Sequence, residues 1–132
     1  MRTAAGTVTV DGIDIEYATA RHGSAVLLLH GFTGDRSTMD DLATRLSEQH
    51  RVVSVDLVGH GGSASPDDPG HYSMAAAARH LDAVLQAVGV ERAHVVGYSL
   101  GGRVGLSFAC AAPRRVESLT LIGASPGLQG EE

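Results

Sequence analysis

The run Ala25-Val26-Leu27-Leu28-Leu29 is apolar without interruption. A strand with one wet face alternates polar and apolar residues, so a short solid run suits a strand covered on both faces. Val52-Val53, Val95-Val96 and Leu119 to Ile122 repeat the pattern more briefly. All four are expected as buried strands of a parallel sheet. Helical spacing falls between them. Met39, Leu42, Ala43 and Leu46 form one apolar stripe, with Ser37 or Thr38 placed to cap its start. Leu81, Val84, Leu85 and Val88 form a second, after Ser73 as cap and before Gly89 as terminator. Leu100, Val104 and Phe108 form a third, which Pro113 ends. Strand–helix alternation with short connections predicts an α/β fold, a doubly wound and mostly parallel sheet. Right-handed crossovers then put helices on both faces.

Residues 7–20 behave differently. Val8 and Val10 interleave with polar residues, as do Ile13, Ile15 and Tyr17, and Asp11-Gly12 lies between the two sets. Asp-Gly suits a type I′ turn, so this segment predicts an antiparallel hairpin at the sheet edge. The one loop-rich stretch runs from Gly59 to Gly70 and holds Pro66 and Pro69.

At 132 residues the chain has room for one domain. Its net charge of -5 comes from scattered residues, which argues against the clustered basic face of a nucleic-acid binder. Arg114-Arg115, the densest basic spot, reads as solvated loop. Cys110 is the single cysteine, so no intrachain disulfide forms, and its neighbours Phe108, Ala109 and Ala111 predict a small buried hydrophobe. No apolar run is long enough for a bilayer, and Met1 to Gly6 lack the apolar core of a signal peptide; the expected location is cytoplasmic.

Gly97-Tyr98-Ser99-Leu100-Gly101 fits G-x-S-x-G between an expected strand and an expected helix. In that setting the serine occupies a sharp turn that lifts its hydroxyl from the sheet. Two glycines permit the close strand–helix approach, and the helix N-terminus offers free N–H groups to a developing anion. Ser99 is therefore the candidate catalytic residue. His30-Gly31-Phe32 follows the first buried strand, which places it opposite the elbow, so the backbone N–H groups of Phe32 and Leu100 are the candidate oxyanion hole. His30 itself is expected to be structural. Asp56 and His60 suggest a triad with Ser99, but in this architecture acid and histidine follow the nucleophile. No histidine follows Ser99, and the only acids that do are Glu117, Glu131 and Glu132. The histidines show no metal-ligand spacing, and neither metal nor cofactor is expected.

The set His30-Gly31-Phe32, Asp56-Leu57-Val58-Gly59-His60-Gly61 and Gly97-Tyr98-Ser99-Leu100-Gly101-Gly102 resembles the α/β-hydrolase superfamily across nearly the whole chain. Val58 departs from that pattern, which usually has proline there. Gly97 to Arg103 and Gly123-Ala124-Ser125-Pro126-Gly127-Leu128 are further similar to the 2-succinyl-6-hydroxy-2,4-cyclohexadiene-1-carboxylate synthases of menaquinone biosynthesis. That resemblance implies pyruvate elimination, a Ser-Asp-His triad whose serine helps remove a proton, and arginines that hold substrate carboxylates. Carried over by position, Ser99 is the triad serine, and Tyr98 and Arg103 contact a small-molecule carboxylate substrate. Arg103 has a physical case too, since a guanidinium beside the elbow can hold a carboxylate with two hydrogen bonds.

The chain stops soon after the fourth buried run. Residues 1–132 are therefore expected to be the N-terminal portion of one such domain, without its cap, last strands, triad acid and triad histidine, and inactive or nearly so alone. Its open sheet edge invites self-association. A serine carboxylic-ester hydrolase and a non-catalytic ligand-binding relative are the alternatives to the lyase.

Overall fold

The computed structural model describes residues 3–20 and 22–124. Ser125 to Leu128, on which the second of the synthase-like segments ends, lie outside them.

The hairpin forms where the alternation predicts it. β1 (Ala4–Val10) pairs antiparallel with β2 (Ile13–Ala20). Asp11 and Gly12 both adopt positive φ, at 53° and 79°, as a type I′ turn requires. β2 then pairs antiparallel with β4 (Arg51–Val55), and β3 (Ala25–Leu29), β5 (Ala93–Tyr98) and β6 (Val116–Ile122) complete a parallel set. The strand order is β1-β2-β4-β3-β5-β6. Every residue of β3 is buried, in keeping with its solid apolar run.

Met39, and α1 (Asp40–Leu46) through Ala43, cover one face against Val26, Leu28 and Val52. α2 (Met74–Ala87) and α3 (Leu100–Ala111) cover the other. There Leu81, Val84, Leu85, Val104 and Phe108 pack on Leu27, Leu29, Val53 and Val95 in the larger of the two clusters. Ser73 caps α2 as expected, its Oγ accepting the Ala76 N–H at 3.0 Å, and Gly89 follows the helix with φ 71°.

Four expectations fail. The start of the first helical stripe is a 3₁₀ turn, Arg36–Met39, and the capping side chain is Asp35 rather than Ser37 or Thr38. Asp35 accepts the Ser37 hydroxyl and, at 2.9 Å, the Ser37 N–H, and the hydroxyl bond foremost, then the N–H, holds its carboxyl below the ordinary range. Cys110 is exposed, because the buried stripe of α3 runs through Gly101, Val104, Gly105 and Phe108 and leaves Cys110 outside it. Arg115 is no solvated loop residue: it pairs with Asp82 at 2.8 Å and donates to the Val90 carbonyl at 2.8 Å, tying the entry of β6 to α2. β6 is not buried on both faces. It forms an edge of the sheet, and Leu121 and Ile122 are exposed.

Among the described residues no helix is long and apolar enough to cross a membrane.

Candidate active site

Ser99 lies between the last residue of β5 and the first of α3, with φ 53° and ψ -113°. A side chain is disfavoured at such angles, so the surrounding structure must hold them in place. Three backbone hydrogen bonds do so. The Ser99 N–H donates to the Ile122 carbonyl at 2.9 Å, and the Ser99 carbonyl accepts from Gly102 at 3.0 Å and Arg103 at 3.2 Å. Leu100 begins the helix, where an N–H has no intrahelical acceptor.

Two glycines make the turn possible. A Cβ on Gly97 would lie 2.6 Å from Gly102 Cα, and one on Gly101 would lie 2.6 Å from the His30 carbonyl oxygen. Both obstacles are backbone, so neither can give way.

The loop after β3 rests on this turn. A Cβ on Gly31 would meet Tyr98 Cδ2 at 2.9 Å and Ser99 Cβ at 3.6 Å. Phe32 follows, 72 % exposed, and shares the lip of an apolar cavity with Leu100. The structure thus brings Ser99, Tyr98, Leu100 and the Phe32 loop together. Arg103 stands on the exposed side of α3, near Met74, Leu106 and Ser107.

His30 is structural, as expected. It is fully buried, and its Nε2 accepts the Leu57 N–H at 3.0 Å. Nδ1 must then carry the proton, which it donates to the Gly31 carbonyl at 2.7 Å. Burial holds the imidazole below its ordinary pKa, against the opposing pull of the Gly31 bond. His60 also has a bridging place, with Nε2 2.7 Å from the Phe32 carbonyl oxygen and Nδ1 3.0 Å from that of Val58. These two histidines tie the loop after β3 to the loop after β4.

Asp56 is spoken for as well. It is buried and accepts the backbone N–H of Arg36 at 2.8 Å and of Gly62 at 3.0 Å, and it forms an ion pair with the Arg36 guanidinium. Arg36 also reaches Glu16 at 2.7 Å. Burial opposes the charge on Arg36, but the Glu16 hydrogen bond and the two carboxylates hold its pKa above the ordinary value. Among the described residues no histidine is hydrogen-bonded to Ser99. Asp56 and His60 are therefore framework, and among the described residues Ser99 has no histidine partner. This Arg36–Asp56–Glu16 network was not legible in the sequence. Its one local signal is a carboxylate that ends a buried strand just before Gly59, Gly61 and Gly62.

A family model for the alpha/beta hydrolase fold matches residues 24–131. The chain belongs to that family. Among curated α/β-hydrolase relatives, a Bacillus subtilis protein provisionally named 2-succinyl-6-hydroxy-2,4-cyclohexadiene-1-carboxylate synthase is 34 % identical over 129 residues, which is 94 % of this chain and 47 % of that protein. A Burkholderia fluoroacetate dehalogenase is 35 % identical over 122 residues, covering 90 % of this chain and 40 % of the enzyme. In three dimensions, the epoxide hydrolase CorEH superposes with a TM-score of 0.91 at 26 % identity, over 99 % of this chain and 46 % of that one. The α/β-hydrolase chain spans less than half the length of each of these relatives.

Proposed function

We propose that this chain carries the serine half of the active site of a lyase that eliminates pyruvate, of the 2-succinyl-6-hydroxy-2,4-cyclohexadiene-1-carboxylate synthase type. The observation that carries the reading is Ser99 itself, held at φ 53° on the turn against which the Phe32 loop packs. The similarity to the Bacillus subtilis protein supports the choice of chemistry. In this reading Ser99 helps remove a proton from the substrate. The N–H groups of Phe32 and Leu100 stabilise the negative charge that develops, and pyruvate leaves. Tyr98 and Arg103 contact the substrate, with Arg103 on a carboxylate. The acid and histidine that activate the serine come from sequence outside these 132 residues, as does the cap that shapes the pocket. No cofactor takes part, and the reaction is cytoplasmic.

A second reading is hydrolysis of a carboxylic ester, in which Ser99 attacks a carbonyl and forms an acyl-enzyme. Relatives of comparable identity that are named hydrolases favour it, among them a carbamate hydrolase assignment at 38 %. The two separate on one assay of a polypeptide in which this chain is followed by the proposed acid and histidine. Pyruvate release from the synthase's substrate supports the lyase. Hydrolysis of short p-nitrophenyl esters without pyruvate release supports the esterase.

A further inference from the structure

Phe32 is 72 % exposed, so packing does little to fix the direction of its N–H. Hydrogen bonds to the carbonyls on either side of that N–H do so instead. The Gly31 carbonyl accepts from His30 Nδ1 at 2.7 Å and from the Gly34 N–H at 3.1 Å. A trans peptide points its N–H opposite its C=O, so a held Gly31 oxygen constrains the Phe32 N–H. The Phe32 carbonyl, in turn, lies 2.7 Å from His60 Nε2. His60 is well anchored. Its backbone N–H donates to the Leu57 carbonyl at 3.0 Å, and its own carbonyl accepts the Ser63 N–H at 3.1 Å.

The His60 ring faces two acceptors. Nε2 meets the Phe32 carbonyl, and Nδ1 meets the Val58 carbonyl at 3.0 Å. A carbonyl oxygen only accepts. A neutral imidazole has one N–H and one lone pair, so it serves one of these oxygens and turns its lone pair on the other. The imidazolium has two N–H groups and serves both. His30 differs, because its Nε2 meets the Leu57 N–H, and the neutral ring satisfies both of its partners.

We propose that His60 is a positioning residue for the Phe32 N–H, and that it holds the Phe32 and Val58 carbonyls together only as the imidazolium. The oxyanion donor is then held firmly in acid and loosened as the ring loses its proton. Its meaning for catalysis rests on the reading of Phe32 as that donor, whereas the proton count does not. The neighbouring groups leave the two acceptors in place. The His30 ring stands edge-on with its centroid 4.9 Å away. Burial foremost, with the charge on His60 behind it, holds the pKa of His30 down against the Gly31 bond. Asp56, paired with Arg36, lines the same cavity as His60, as do Tyr72 and, on α2, His80. From α3 that cavity receives the apolar Leu100 and Val104. Among the described residues none of these gives a His60 ring nitrogen another hydrogen bond.

The test measures ¹⁵N order parameters of Phe32 and Thr33 in the chain Met1–Glu132 from about pH 8 to about pH 5, the range in which an imidazole changes charge. The histidine rings are titrated alongside. Both residues should be rigid in acid, at about 0.85, and should loosen with the midpoint of the His60 ring rather than with that of His30 or His80. His60→Gln carries an amide N–H that does not titrate, so its order parameters at these two residues should not change with pH. Order parameters indifferent to the His60 titration overturn the proposal, and so does a pH-dependent loosening that survives His60→Gln. In a polypeptide completed by the proposed acid and histidine, the ratio of kcat for the unaltered protein to that for His60→Gln should fall as the ring deprotonates. The fall should stay below about a hundred-fold, the cost of losing a whole oxyanion donor. A completed polypeptide that releases no pyruvate overturns the lyase reading alone, and the order parameters still decide this one.

Discussion

The backbone N–H of Ser99 donates to the carbonyl oxygen of Ile122 at 2.9 Å, so the last residue of β6 anchors the turn that carries the candidate nucleophile. An edge strand therefore holds in place the one serine with positive φ among the described residues. The strain has a measurable consequence. Glycine tolerates φ 53° and serine does not, and relief of such strain is worth roughly 1–3 kcal/mol. The extra freedom of glycine in the unfolded chain gives back about 0.4–1 kcal/mol. Ser99→Gly should raise stability by about 1 kcal/mol in urea unfolding, whereas loss of stability on this substitution would remove the case for stored strain.

Asp56 should matter more to the fold than to the chemistry. Its carboxylate is buried against a partly buried arginine and also accepts two backbone N–H groups. Removing it leaves Arg36 partly exposed and still paired with Glu16, but leaves two backbone N–H groups without their acceptor, at a cost of about 1–3 kcal/mol. Asp56→Ala should destabilise by that order, and Asp56→Asn by less because an amide oxygen can still accept an N–H. If Asp56→Ala unfolds at the same urea concentration as the unaltered chain, the network has no structural role.

The two buried histidines give the fold a pH dependence of definite sign. Burial depresses the pKa of both His30 and His80 below the ordinary imidazole value of about 6.5. Above that value both states are neutral and the full stability is present. As pH falls below it, the unfolded chain takes up protons that the folded chain refuses, and stability declines toward the folded-state pKa. The slope reaches at most about 1.4 kcal/mol per pH unit for each histidine. Urea midpoints measured from pH 7.5 to 5 should fall, and His80→Leu should flatten part of the decline. Midpoints that rise on acidification would contradict this assignment.

β6 exposes Leu121 and Ile122 at an edge of the parallel sheet. An apolar edge of this kind templates further strand pairing. In the isolated chain we expect concentration-dependent association, visible by sedimentation velocity and reduced by Leu121→Lys. A species that stays monomeric at every concentration, with and without the lysine, would show that the edge is protected.

Local chemistry made much of this architecture legible. Asp11-Gly12 marked its hairpin, Ser73 its helix, and Gly97 to Gly101 the elbow, because each rests on residues adjacent in the chain. The failures involve distance. Arg36 finds Asp56 and Glu16 across twenty residues in either direction, and Arg115 finds Asp82 only after α3 has packed on α2. Cys110 sits among apolar neighbours in sequence, yet helical rotation carries it off the buried stripe. Leu119 to Ile122 look like a central strand, but burial depends on what lies beside and above a strand, which its own residues do not encode.

The central claim concerns Ser99. Its most direct test measures pyruvate release from the synthase's substrate by a polypeptide in which this chain is followed by the proposed acid and histidine, with and without Ser99→Ala. The account predicts release by the unaltered protein and a loss of kcat of at least about a thousand-fold in the variant, since triad members act as a unit. Release that persists undiminished in Ser99→Ala would contradict it, as would ester hydrolysis unaccompanied by any pyruvate.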